Sequence, residues 1–388
     1  MVKYVDRDYL IQTRRQLHQC PEVGYDLPET SKLVGEKLRE IGLTYTDRYA
    51  PCSLVCDINP EKTGYTIALR ADMDALCITE KTGLPFASKR EGYMHACGHD
   101  THTACLLAAA RALYAMRDEI PCRVRLIFQP NEEGPESAPA LMIRNGILDG
   151  VDIVVGQHVS SEYDSGKIGI RKGPLMASCR NFTVTVYGKT AHATIPQSGR
   201  DALAAAVDIY NHVQFLRTRQ VDPLQNCICA VSSLQAGNAY NIVPDMAVMK
   251  GTIRTYDVEL DRFLYDSVCK IADSCAALSG CTCKTESSQY VSCLMNDETL
   301  CNEIWSSAEK IVGAENVMEI APMMSSEDFA DFSVRIPSVF FYTGVGTGPM
   351  EKRARMHNSD FNPDEDALEN AANLFVQFVL DKAKKQIR

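Results

Sequence analysis

Three apolar runs with strand character each hand over directly to ionisable side chains. The runs are "YTIALRA" (65–71), "RVRLIFQ" (123–129) and "VDIVVG" (151–156). Asp72 and Asp74 follow the first, Glu132 and Glu133 the second, and His158 the third. Helical patterns alternate with these runs, which constrains the segment to an α/β layer structure. One of them, "THTACLLAAARALYAMR" (101–117), reads as a buried helix with Asp100 as its N-cap. Ligands of open α/β sheets gather at the carboxyl ends of the strands. Three strands therefore deliver ionisable groups to one sheet edge.

The texture changes between 179 and 291. "CRNFTVTVYG" alternates with period two, "RDALAAAVDIYNHVQFLRTR" is helical, and two strand-like runs follow, "NCICAVSSLQAG" and "DMAVMKGTIRTYD". A helix with Leu260, Phe263, Leu264, Val268, Ile271 and Cys275 at helical spacing precedes a last strand-like run, "CTCKTESSQYVS". The order β-α-β-β-α-β is that of a ferredoxin-like α+β sandwich. The α/β texture then resumes with a helix near 300–312, a strand at 338–344 and a helix after Asp364. At 388 residues the chain is too long for one ordinary core. The expected fold is thus α/β, an α/β/α domain around a central mixed sheet formed by 1–178 and 292–388. A ferredoxin-like domain, 179–291, is inserted in it.

Composition narrows the partners. A hydrophobic fraction of 45% and a charged fraction of 23% suit a globular protein. The formal net charge is −10 and there is no Lys/Arg-rich block, which argues against nucleic acid and for a small-molecule substrate. "MVKYVDRDYL" lacks the apolar core of a signal peptide, and no run of about 18 apolar residues occurs. The expectation is a cytoplasmic protein without a membrane partner, its sixteen cysteines mostly reduced. The pairs Cys227/Cys229 and Cys281/Cys283 fall in strand-like runs and read as packing.

The stretch "MHACGHDTH" (94–102) holds three of the eight histidines and one cysteine. On an extended segment, Cys97 and His99 point the same way and suit one metal ion or two neighbouring ones. A structural zinc site needs a second Cys/His pair at short spacing, and a redox site needs a partner thiol. The chain supplies neither. A metal site and a polar helix start both remain open for this stretch alone. In "LIFQPNEEGPE", adjacent carboxylates after a buried strand call for a positive partner, or else form an exposed acidic turn. If a metal is the partner, one carboxylate binds and the other serves as general base. His158 and His357 are each unremarkable alone; with Cys97, His99 and Glu133 they make a ligand set for two divalent ions.

"LRADMDAL", "MHACGHDTHTA", "FQPNEEG", "GQHV", "GKTAHATIPQSGRDA", "NIVPDMAVMKGTIRT", "SSEDFADF" and "MHNSDF" occur in that order. Together they resemble the amidohydrolase branch of the aminoacylase/carboxypeptidase metallohydrolases, which includes hippurate hydrolases and hydrolases of indole-acetyl amino acids. The resemblance implies a catalytic domain interrupted by a lid that also serves dimerisation. It implies two divalent ions per subunit, zinc or manganese, with cobalt or nickel as alternatives. Cys97 would bridge them, His99 and His158 would hold one ion, and Glu133 and His357 the other. Glu132 becomes the general base. Asp74 matches an aspartate that orients a metal-binding histidine, although Asp72 stands where that histidine occurs. His192 resembles the lid residue that approaches the scissile carbonyl, often from a partner subunit. Asn241 and Arg254 resemble lid groups that hold the substrate carboxylate. His95 and His102 carry no ligand role and read as supporting or structural. The implied reaction is hydrolysis of N-acyl or N-aroyl amino acids by a homodimer, with a dipeptidase or carboxypeptidase as the alternative. "PESAP" (135–139), Thr190, Gln197 and Ser359 depart from the family pattern and bear on the substrate pocket.

Overall fold

Four parallel strands form the middle of an eight-stranded mixed sheet. In spatial order the strands are Tyr45–Thr46, Leu54–Ile58, Arg123–Gln129, Thr66–Asp72, Ile153–Asp164, Ser338–Gly346, Ile168–Ile170 and Val317–Glu319. Thr66–Asp72 runs parallel to both Arg123–Gln129 and Ile153–Asp164, and Ser338–Gly346 runs parallel to Ile153–Asp164. Leu54–Ile58 is antiparallel to Arg123–Gln129. Every residue of Thr66–Asp72 and of Ser338–Gly346 is buried, as expected for strands covered on both faces. Asp72 is in register with Gln129, so the Asp72–Asp74 and Glu132–Glu133 segments leave the sheet at the same end.

The computed structural model describes residues 2–386, which fall into two units. The first holds the sheet, namely the chain up to Gly173, Met295–Ala321 and the part from Asp328 on. Its helix His99–Ala115 packs against helices Arg7–His18 and Leu368–Gln386 and against the Thr66–Asp72 strand. Leu106, Leu107 and Leu113 are fully buried, each contributing about 1.5–3 kcal/mol of hydrophobic stabilisation.

The second unit comprises Pro174–Leu294 and Pro322–Glu327. Its antiparallel sheet has the order Cys227–Ala236, Met246–Thr255, Cys179–Tyr187, Thr282–Val291. Helices Ala202–Gln220 and Val258–Leu278 start at Asp201 and Asp257, whose carboxylates accept from backbone N–H groups of the first turn. Phe182, Val184, Val186, Ile209, Val213, Leu264 and Val268 form its core. Cys227, Cys229 and Cys281 are buried, and all sixteen cysteines are unpaired. Residues 322–327 join this unit rather than the first, tied by the bridge between Met176 and Met323.

Three local expectations change. Asp100 does not cap the buried helix. The helix begins at His99 after Gly98, and the Asp100 carboxylate is instead buried between Arg14 Nε at 2.9 Å and His18 Nδ1 at 2.8 Å. A local capping preference has yielded to two charged partners from a distant helix. Cys97 and His99 do not share an extended segment, because Gly98 turns the chain with φ 91°. His158 does not follow its strand but lies inside it: pairing with Ser338–Gly346 carries the strand on to Asp164. Among the described residues, no helix is long and apolar enough to cross a membrane.

Candidate metal centre

A Cβ at Gly98 would sit 2.6 Å from Val159 Cγ2, so the left-handed turn there also needs a residue without a side chain. The turn sets the Cys97 thiol and the His99 ring close to His158, with ligand atoms of all three within 4.8 Å of one another. Cys97 Sγ lies 3.4 Å from His158 Nε2 and 3.3 Å from His357 Nε2. Cys97, Glu133 and His357 form a second group within the same limit, and His357 Nε2 is 3.1 Å from Glu133 Oε1. One thiol therefore belongs to two adjacent clusters. His357 reaches its place with φ 64°, its N–H donating to Ala96 O at 2.9 Å. A non-glycine residue in that region costs about 1–3 kcal/mol and marks a position fixed by its surroundings.

The glutamate pair is aimed from behind. Asp74 accepts the peptide N–H of Glu132 through Oδ1 and of Glu133 through Oδ2, both at 3.0 Å. Asn131, buried with φ 57°, donates its side-chain amide to Glu136 O at 2.6 Å and tightens the loop. Glu132 Oε2 lies 3.9 Å from His99 Nε2, its side chain only 12% exposed. In the divergent "PESAP" segment, Ser137 caps helix Ala138–Arg144 and donates to Asp331 at 2.5 Å.

Whether these groups fit a cation is decided by what they lack. His99 is fully buried, and neither ring nitrogen has a hydrogen-bond partner; Nδ1 stands 3.4 Å from Asp74 and Nε2 3.8 Å from Asp72. Burial alone would lower the pKa of His99, yet Asp72, Asp74 and Glu133 push it up to about 10. The same negative field, added to burial, holds the Cys97 thiol well above its ordinary value through Glu133 and Glu132. Burial drives His158 the other way, keeping it neutral. Such a set of sulfur, nitrogen and oxygen donors in a negative pocket suits a borderline divalent cation such as zinc. The residues fit the group.

Beneath this cluster lies a network that sequence reasoning underrated. Arg70, fully buried, donates to Gln129 Oε1, Asp72 Oδ2 and Asp328 Oδ1 at 2.8–2.9 Å. Asp72 also meets His102 Nδ1 at 2.6 Å. It thus occupies the metal-ligand position of the family pattern while facing Arg70 and His102. Burial would raise its pKa, but His99, His102 and Arg70 hold the carboxyl well below its usual range. The only sequence signal was an arginine and an aspartate two apart on an apolar strand, both pointing to one face.

Cys97, His99, Asp74, Glu132, Glu133, His158 and His357 are thus together in the first unit. His192, Asn241 and Arg254 belong to the second. His192 and Asn241 sit exposed at a short two-stranded antiparallel pairing of chain-distant segments, where Ile242 pairs with His192 and Ala193 N donates to Asn241 O at 2.9 Å. His192 Nδ1 is 2.7 Å from Thr194 Oγ1. Arg254, partly buried, points its guanidinium at Met324 O and Ser326 Oγ, each 3.4 Å away.

Residues 68–381 match the family model described as peptidase family M20/M25/M40. The chain belongs to the M20 peptidase family. It is 38% identical over 371 residues to thermostable carboxypeptidase 1 of Saccharolobus solfataricus, covering 94% of this chain and 93% of that one. It is 36% identical over 376 residues to N-acetyl-L-cysteine deacetylase of Bacillus subtilis, covering 97% and 88%. Among solved structures, a dinuclear metal-binding M20 peptidase from Bacillus subtilis superposes with TM-score 0.84 at 32% identity, covering 97% and 98%. As an M20 enzyme, the chain is a metal-dependent amidohydrolase.

Proposed function

We propose that this M20 enzyme hydrolyses the amide bond of N-acyl or N-aroyl amino acids, releasing a carboxylic acid and a free amino acid. The observation that carries the proposal is the pair of donor clusters sharing Cys97, with Glu132 beside them. Relatives named for N-acetylcysteine deacetylation and for hydrolysis of indole-acetyl amino acids, at 33–36% identity, support it. In this reading Cys97, His99 and His158 would hold one divalent ion, and Cys97, Glu133 and His357 would hold a second, zinc or manganese. The chemistry such ions supply when bound is acidification of a water and polarisation of the scissile carbonyl. Glu132 takes the proton of the attacking water and returns it to the leaving nitrogen, so one water is consumed per amide cleaved. Asp74 keeps that carboxylate aimed by fixing the Glu132 and Glu133 peptides.

The ferredoxin-like unit serves as lid and dimerisation domain. Support comes from helix Ala202–Gln220, which exposes Leu203, Val207 and Tyr210 at helical spacing. His192, in cis or from a second copy, donates a hydrogen bond to the developing oxyanion, and Arg254 and Asn241 hold the substrate carboxylate. The enzyme would work in the cytoplasm on small molecules, with no nucleic-acid or membrane partner.

A carboxypeptidase is the second reading, favoured by the 38% identity to two thermostable carboxypeptidases. Purified enzyme assayed on matched N-acyl amino acids and dipeptides separates the two. The first reading predicts at least tenfold higher kcat/KM when the far nitrogen is acylated. A preference for a free α-amine would replace it with the second.

A further inference from the structure

His102 makes two hydrogen bonds that only one form of imidazole can make together. Its Nδ1 lies 2.6 Å from Asp72 Oδ1, and its Nε2 accepts the peptide N–H of Val159 at 3.0 Å. A carboxylate can only accept here and an N–H can only donate, so the proton sits on Nδ1 and Nε2 offers its lone pair. Arg70, bonded to the other oxygen of Asp72, keeps that carboxylate an acceptor. The next peptide is engaged as well, since His158 Nδ1 lies 2.6 Å from Val159 O, so the two imidazoles hold the Val159 backbone at its N–H and at its C=O. Donation there places the His158 proton on Nδ1 and leaves Nε2 bare, 3.4 Å from Cys97 Sγ. The two imidazoles also meet directly, with ring centroids 4.4 Å apart at 68°.

We propose that His102 is a positioning residue for His158: by anchoring the His158–Val159 peptide through its N–H it holds the backbone whose next carbonyl orients the His158 ring, and so fixes which His158 nitrogen faces the metal site, and at what angle. This rests on the reading of His158 as a ligand. Arg70 and Asp72 sit one step further back and lock His102 in the tautomer that can accept from Val159. The aspartate that stands where the family pattern has a metal-binding histidine thereby reaches His158 indirectly, through His102 and the Val159 backbone, besides its own approach to His99. All five residues are buried, so no water can substitute for a lost partner without opening the core.

A space-filling role for His102 would be met equally well by phenylalanine, which makes His102→Phe the informative variant. In the zinc-loaded full chain, competition with a chromophoric chelator should show about 10–100-fold weaker binding of one zinc ion, the usual effect of removing a histidine's outer partner. The cobalt-substituted protein should show altered absorption bands while far-ultraviolet circular dichroism is unchanged. Unchanged zinc affinity and cobalt spectrum in a folded His102→Phe protein would overturn the proposal. If that variant does not fold, Asp72→Asn serves in its place: its amide can turn either way and releases the tautomer. A smaller loss in the same direction is expected, and no loss overturns the proposal equally. His158→Ala separates this from the underlying reading. If it keeps both ions, His158 is no ligand and both readings fall; if it loses one while His102→Phe loses none, only the positioning role falls.

Discussion

In the first unit, Arg70, Asp72, His99 and His102 are all at most 1% exposed, and each has its position dictated by another polar group or by the want of one. In the second, His192 and Asn241 stand in solvent at an antiparallel pairing only two residues long, and Arg254 leans on two long contacts to one loop. Buried and cross-braced groups suit proton transfer and metal binding, where an ångström of slack is expensive. Exposed groups on short elements suit recognition, where the ligand itself completes the geometry. In the proposed reading the first unit carries metal binding and proton transfer, while the second supplies groups that meet the substrate, His192 for the oxyanion and Arg254 for the carboxylate, and substitutions can test those roles.

The largest effect is expected at Glu132. Glu132→Gln should lower kcat by about 10³–10⁴-fold, at the upper end of what a general base contributes, while metal content stays as in the wild type. Near-normal turnover would remove Glu132 as the base. The second unit comes next. His192→Ala should cost about 10²–10³-fold in kcat with metal retained, the usual loss of one oxyanion donor. Arg254→Ala should instead raise KM by about 10–100-fold for substrates bearing a carboxylate and hardly touch their amides. A kcat defect from Arg254→Ala would contradict its role as carboxylate clamp, and a pure KM defect from His192→Ala would contradict its role at the oxyanion.

The smallest effect concerns stability. Burial alone would lower the pKa of His18, but Asp100 and Glu80 push it up to about 9 from an ordinary 6.5. The folded state thus binds the proton more tightly than the unfolded chain. That contribution, at most about 3 kcal/mol, is complete below pH 6.5 and fades as pH rises through 9. Denaturant titrations between pH 6 and 10 should show this decline, and His18→Gln should flatten it. An unchanged slope in the variant would place the titration elsewhere.

The sheet was legible because apolar runs ending in charges have few other uses. The expected strands at 65–71, 123–129 and 338–344 lie within two residues of Thr66–Asp72, Arg123–Gln129 and Ser338–Gly346. What escaped was non-local. Asp100 carries a good local capping signal, overridden by Arg14 and His18 from 82 or more residues away. His158 sits mid-strand because of pairing partners near the other end of the chain. The left-handed backbone at Asn131 and at His357 had only a weak signal, since asparagine and histidine both enter that region more often than most residues. His102 was read only as supporting or structural, because half of what it holds is a backbone N–H, and such a partner leaves no mark in a sequence.

At the centre of the proposed site, the sulfur of Cys97 would serve two divalent ions. Metal analysis of the purified enzyme by mass spectrometry, beside Cys97→Ser prepared identically, tests this most directly. Two ions per chain are expected in the wild type, with a clear loss in Cys97→Ser. Equal metal content in the two proteins, or a wild type that binds no divalent ion, would contradict it.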